Sequence, residues 1–285
     1  MKVQKEGNMS RMRNFSLFVT TLFLLTFVGN QGCTRKEPNT LTLTGSTTVL
    51  PISQMAAEAF MELHPKVNIS VQGGGSGVGI AALIDQTADI ANASRPINTK
   101  EIARCREKGI DPVGNLIAQD GIAIVVHTSN PIEELSLEQL KAIYTGEISK
   151  WSDLGGEVKP IVVVSRDVAS GTFEVFKEKV LKGSKTREDA LMLASNKAVA
   201  TTVSETPYAI GYVGIAYLSS EVKALKIDGV EPANETVTSG KYEVARPLYM
   251  YTNGKPKGLA KEFIDFIMSR EGQKIVEEVG FVPVK

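Results

Sequence analysis

Three short runs of Gly, Ser and Thr stand where strand-like stretches of this 285-residue chain give way to helical ones, and their residue types and spacing suit anion chemistry. They are Gly45-Ser46-Thr47-Thr48, Gly73-Gly74-Gly75-Ser76-Gly77-Val78-Gly79 and Ser170-Gly171-Thr172. The first turn of a helix carries amide N–H groups without intrahelical partners and a partial positive charge. Glycine allows close approach to those amides, and Ser or Thr adds a hydroxyl donor. The same hydroxyls also serve as ordinary helix caps, so one run alone says little. Arg166 lies between the apolar run Ile161 to Val164 and the third turn, and Arg95 follows the run Asp89 to Ala93. A guanidinium presents a planar fork that fits a tetrahedral oxyanion, although each arginine read singly is equally a structural salt bridge. Together with three donor-rich helix starts they point to an oxyanion site.

Other chemistries find little support. The second run lacks G-x-G-x-x-G spacing and a Gly-Lys-Ser/Thr ending, so it is neither a dinucleotide fingerprint nor a Walker loop. Val78 stands where a G-x-S-x-G elbow would need a different residue. His64 and His127 are the only histidines and neither adjoins a nucleophile motif, so a Ser-His-Asp hydrolase is not indicated. Two cysteines and two histidines are too few for a zinc module or a disulfide scaffold. Neither a metal nor a cofactor is expected, and catalytic residues are not assigned.

The elements that must hold these turns alternate strand and helix, which predicts an α/β architecture with a largely parallel sheet. Strands are expected at Leu41–Thr44, Val67–Val71 and Asp89–Ala93, with apolar runs buried on both faces at Ile122–Val126 and Ile161–Val164. Helices are expected from Pro51 to His64, from Ile80 to Gln86 and after Asn98, which with Glu101 forms a capping-box pattern. Further helices are expected from Ser136 to Tyr144, Ser170 to Leu181, Thr186 to Ser204 and within Leu259–Val279. Ile210–Leu218 and Arg246–Tyr251 read as late strands. Their return suggests two lobes: residues 41–123 with 246–285, and residues 124–245.

Lys2, Lys5, Arg11 and Arg13 precede the uncharged run Phe15 to Val28, the pattern of an export signal over residues 1–32. The run is short of the roughly 20 apolar residues a membrane-spanning helix needs. Residues 33–40 then read as a polar tether. Lys and Arg total 32 and Asp and Glu total 32, so the whole chain is formally neutral. The export segment holds four basic residues and one acidic residue, which leaves 28 against 31 and a net charge of −3. A nucleic-acid partner is not expected from that balance.

The segment Gly29-Asn30-Gln31-Gly32-Cys33 resembles the cleavage site of a bacterial lipoprotein precursor, with Cys33 as the lipidated residue; Asn30 departs from the usual aliphatic residue. Farther on, GSTTVLP (45–51), the GGGSGVG turn, DIANASRPI (89–97), AIYTGEISKWSDLGG (142–156), SRDVASGTFEVF (165–176) and AIGYVGIAYL (209–218) closely resemble, in order, the phosphate-binding proteins of bacterial phosphate ABC transporters. That resemblance implies the two-lobe periplasmic-binding-protein fold of class II, with one phosphate in the cleft. It also implies a partner permease in the inner membrane and a location in the periplasm or on the outer face of the cell membrane. A monomer is expected.

Carried over by position, Ser46 and Thr47 match the first phosphate loop and Ser76 a hydroxyl donor of the second, with Gly77 as a backbone donor. Arg166 matches the arginine of the other lobe, and Ser170, Gly171 and Thr172 match its helix-start donors. Many members have an Asp where this chain has Arg95. Phosphate near neutral pH carries a proton and sulfate does not, so an acceptor in the site favours phosphate. Asp120 is the expected replacement, paired with Arg95 and accepting the ligand's proton, ahead of Asp167. The alternatives are a binder of another oxyanion such as sulfate, a phosphate sensor, or an exported phosphate-ester hydrolase.

Overall fold

A computed structural model describes residues 39–284. The export signal, Cys33 and most of the tether lie outside the described residues. In chain order the strands are β1 (Thr40–Gly45), β2 (Asn68–Gly73), β3 (Ile90–Ala93), β4 (Pro112–His127), β5 (Glu134–Leu135), β6 (Val162–Arg166), β7 (Leu191–Leu193), β8 (Ala209–Gly214), β9 (Val222–Ile227) and β10 (Ala245–Asn253). The helices are α1 (Leu50–Leu63), α2 (Ser76–Ile84), α3 (Thr99–Glu107), α4 (Leu137–Thr145), α5 (Gly171–Lys179), α6 (Asn196–Glu205), α7 (Asn234–Thr238), α8 (Gly258–Ile267) and α9 (Arg270–Glu278).

The sheet runs β2-β1-β3-β10-β4-β8-β6-β7, with β9 beside β4 and β5 beside β9. The β1–β2, β1–β3, β6–β8 and β6–β7 pairs are parallel, whereas β10 and β4 are antiparallel to their neighbours. Two large cores form along it. Leu41, Leu43, Ile52, Phe60, Ile117, Leu248, Met250 and Phe263 share one, and Ile122, Ile124, Tyr144, Trp151, Val163, Phe176, Tyr212 and Val244 share the other. Among the described strands, β4 and β10 pass from core to core, between Ala118 and Ile122 on one and between Val244 and Leu248 on the other. Opposed on these crossings are Asp120 and Arg246.

Several elements sit where the pattern placed them. Asn98 and Glu101 make both bonds of the capping box on α3, as do Ser136 and Gln139 on α4. Three differ. Helix α2 starts at Ser76 rather than Ile80, so the second small-residue run is half turn and half helix. Its glycines conceal the helix because Gly is a poor helix former. Gly79 is needed there, since a Cβ would lie 2.5 Å from the Thr44 carbonyl oxygen and 2.7 Å from Gly45 Cα. Residues 186–204 are not one helix but edge strand β7 followed by α6, capped by Ser195. Strand β4 reaches back to Pro112 through a mixed segment, PVGNLIAQD, that pairs with β10 and has no strand-like alternation or long apolar run to mark it.

Candidate anion site between the two cores

On the first-core side, β1 ends at Gly45, and the Ser46 amide donates to the Asn92 carbonyl at 2.8 Å. The Ser46 hydroxyl accepts from the amides of Thr48 and Val49 at 3.1 and 3.4 Å. Ser46 thus closes the turn into α1 with both groups. The amides of Thr47 and Ser76, each at the start of a turn or helix, have no partner among the described residues.

On the second-core side, a ring cluster fixes the frame. Phe176 of α5 stacks on Tyr212 of β8 with centroids 4.0 Å apart. The Tyr212 hydroxyl, pushed up to about 12 by burial, accepts the Arg166 amide at 3.1 Å and contacts the Ser165 hydroxyl at 2.9 Å. Arg166, the last residue of β6, is 1% exposed. Its Nε donates to the Leu193 carbonyl at 3.0 Å, and its Nη2 to the Ala194 carbonyl at 2.9 Å and to Thr47 Oγ1 at 3.2 Å. Nη1 is buried without a partner, and Arg166 makes no salt bridge among the described residues. Burial without a counter-ion lowers its pKa to about 10.

Next to it, Ser170 caps α5 by accepting the Phe173 amide at 3.2 Å. The amides of Gly171 and Thr172 are left without partners among the described residues. Gly171 faces the first-core side at close range: a Cβ on it would lie 2.3 Å from Ser76 Oγ and 2.7 Å from Ser94 Oγ. Gly171→Ala should therefore obstruct this contact while leaving α5 intact, since Ala favours a helix over Gly. The expected result is a roughly tenfold or greater loss of phosphate affinity in calorimetry, with a thermal midpoint little changed without ligand. An unchanged affinity would show that the approach is dispensable.

Three residues make contacts other than those expected. Arg95 does not pair with Asp120. It makes a two-pronged contact with Glu101 at 2.7 and 2.8 Å and reaches Glu174 of α5 at 2.8 Å, so it clamps α3 and α5 together at the mouth of the cleft. Asp120 pairs instead with Arg246, whose Nε and Nη2 lie 2.9 and 2.7 Å from Oδ2; Oδ1 accepts the Ile215 amide at 3.1 Å. The Gly77 amide is engaged by the Ala169 carbonyl at 3.0 Å, which makes it a bond between the two sides rather than an open donor.

Three residues that the sequence reading does not assign to the site, Arg246, Asn196 and Tyr217, join it through the first turn. Arg246, 3% exposed, donates to Thr48 Oγ1 at 3.0 Å and Ser94 Oγ at 3.3 Å. Asn196 donates to Thr48 and Thr47, and Tyr217 donates from its hydroxyl to the Thr47 carbonyl. Thr48 Oγ1 lies 3.3 Å from Thr172 Oγ1 across the divide. The available signal for Arg246 was a charged residue inside the strand-like run ARPLYMY.

Two α/β cores joined by two strands, with helix starts and a buried arginine that has no salt bridge among the described residues converging between them, define a two-lobe solute-binding protein with an anion cleft. The comparisons agree. Residues 33–271 match the profile of a PBP superfamily domain. The phosphate-binding protein PstS of Bacillus subtilis is 37% identical over 254 residues, covering 87% of this chain and 82% of that one. PstS of Pseudomonas aeruginosa is 32% identical over 267 residues, covering 86% and 83%. A crystal structure of a phosphate ABC transporter substrate-binding protein from Clostridium perfringens, with bound phosphate, matches with a TM-score of 0.81 at 37% identity, covering 87% of this chain and all of that one. The chain belongs to the PBP superfamily, in the family of PstS phosphate-binding proteins.

Proposed function

We propose that this protein captures inorganic phosphate outside the cytoplasmic membrane and delivers it to an ABC-transporter permease. It is a binding component and not an enzyme. The observation that carries the reading is Arg166: a buried guanidinium with no salt bridge and one unpartnered nitrogen among the described residues, shortly before the open amides of Gly171 and Thr172. Such a group is costly until an anion meets it. The amides and hydroxyls of Thr47, Ser76 and Thr172 and the amide of Gly171 are the proposed donors. Ser46 and Ser170 shape the two helix starts. The two halves are proposed to close as lobes, with β4 and β10 absorbing the rotation. Attachment through a lipid on Cys33 and a monomeric state are part of the same proposal.

Titrating the purified protein with phosphate, sulfate and a phosphate monoester by calorimetry tests this. Saturable binding of phosphate with no turnover of the ester is expected. Binding of sulfate with no response to phosphate would replace the reading by another oxyanion.

The Arg95 clamp carries a kinetic expectation. Glu174 is half-buried, burial pushes its carboxyl up, and it meets Arg95 only across the cleft. A partly exposed ion pair contributes up to about 1 kcal/mol, about fivefold in a rate. Glu174→Gln should speed phosphate release about fivefold in stopped-flow measurements and leave association almost unchanged. An equal change in both rates would remove the clamp from closure.

A further inference from the structure

We infer that Asn196 is a positioning residue of this site: it fixes the direction of the hydrogen bonds so that the hydroxyls of Thr47 and Thr172 can only donate, toward the anion. The inference rests on the phosphate reading of the cleft. Asn196 is fully buried at the first turn of α6, capped from the preceding Ser195. Its Oδ1 accepts the Gly214 amide at 3.3 Å, which sets the carboxamide orientation, because the flipped amide would oppose two donors. Nδ2 therefore faces Thr48 Oγ1 at 2.9 Å and Thr47 Oγ1 at 3.4 Å.

Donor and acceptor counting does the rest. Thr48 Oγ1 receives one bond from Asn196 Nδ2 and another from Arg246 Nη2 at 3.0 Å, and neither nitrogen can accept in return. Both lone pairs are filled. Its proton is left with Thr172 Oγ1, 3.3 Å away on the opposite side. Thr172 then accepts there, and its own proton turns out beside the open amides of Gly171 and Thr172. Thr47 Oγ1 is filled in the same way by Arg166 Nη2 at 3.2 Å and by Asn196, so its proton also faces outward. A separate chain from Arg246 Nη1 through Ser94 Oγ, 3.3 Å apart, leads to Ser76 without involving Asn196. Hydroxyls locked as donors before the ligand arrives need no reorientation when it binds.

Double-mutant cycles test this in the whole protein, with inorganic phosphate as the probe and calorimetry as the readout. Thr172→Val is expected to weaken binding about tenfold or more in the native background, as for a hydrogen bond to a charged group. In the Asn196→Ala background the same change should cost about threefold or less. Ser76→Ala should cost the same factor in both backgrounds. Equal costs of Thr172→Val in the two backgrounds would overturn the relay. So would coupling of Ser76→Ala to Asn196→Ala as strong as that of Thr172→Val, which would mark a general loosening of the cleft. If Asn196→Ala does not fold, Thr48→Val breaks the relay one step later and must show the same coupling to Thr172→Val. A native protein that binds sulfate and ignores phosphate would overturn the phosphate reading instead, and the same cycles run with sulfate then decide the relay.

Discussion

Replacing Arg166 with Met is expected to weaken phosphate binding by at least about 100-fold, because each hydrogen bond to a charged group contributes roughly 1.5–3 kcal/mol and Nη1 offers two N–H groups. Arg166→Lys should recover little of it, since an ammonium cannot hold the Leu193 and Ala194 carbonyls and still point a fork into the cleft. Without ligand, two effects oppose each other in the Met variant. Those carbonyls lose their donors, and a buried charge without a counter-ion is removed. The thermal midpoint without ligand should therefore shift by only a few degrees, while the rise in midpoint on adding phosphate disappears. The arginine's pKa in the folded chain, about 10, lies below its unfolded value. Its charge therefore opposes folding at every pH below about 10, and that penalty fades only above it. Between pH 6 and 8 the penalty is constant, so any pH dependence of phosphate affinity in that window does not come from Arg166. A Met variant with near-native affinity would place the anion elsewhere.

Asp120→Asn is expected to be the most destabilising single change near the cleft. Asp120 and Arg246 are an almost fully buried pair whose side chains are 0% and 1% exposed, on the two strands that join the cores. Removing one charge leaves the other buried and uncompensated, a loss of about 3–5 kcal/mol. For a chain of this size that corresponds to roughly 10 °C in the thermal midpoint. Saturating phosphate should restore part of the loss, because Arg246 donates to Thr48 and Ser94, next to the proposed donors Thr47 and Ser76, and an anion held there would partly replace the missing charge. Calorimetric phosphate-to-sulfate ratios for the same variant show whether Asp120 also receives the ligand's proton; an unchanged ratio would remove it from selectivity. A midpoint within two degrees of the native one would show that solvent already compensates Arg246.

The pairing of these groups was the least legible part of the sequence. Arg95 and Asp120 both lie beside strand ends in the chain's pattern, and the Arg that stands in place of the more usual Asp predicts a pair between them. The actual partner of Asp120 is 126 residues away, on a strand that returns from the second core. No local signal distinguishes Arg246 from any other charged strand residue until the antiparallel register of β4 and β10 sets it opposite Asp120. Asn196 was hidden for a related reason. The pattern of residues 186–204 predicts one long helix, whereas Leu191–Leu193 pairs with β6 as an edge strand and the helix starts afresh at Asn196.

Helix starts, by contrast, are encoded locally. A cap, a small residue and the apolar period that follows lie within one turn of each other, so the turns at Ser46 and Ser170, the capping box at Asn98 and the helix start at Ser136 could be read from residue order alone, whereas the glycines around Ser76 hid where α2 begins. So could the buried strands Ile122–Val126 and Ile161–Val164 and the presence of an arginine at the end of the second. The sequence by itself therefore determined that this chain holds donor-rich helix starts and an arginine suited to an oxyanion. Tertiary structure alone decided which donors stay open. Gly77 is taken by Ala169, Arg95 by two carboxylates and Arg246 by Asp120, while Arg166 pairs with no carboxylate among the described residues. A hydrogen bond or ion pair is settled by which groups meet in three dimensions, and those meetings span the two cores rather than neighbouring residues.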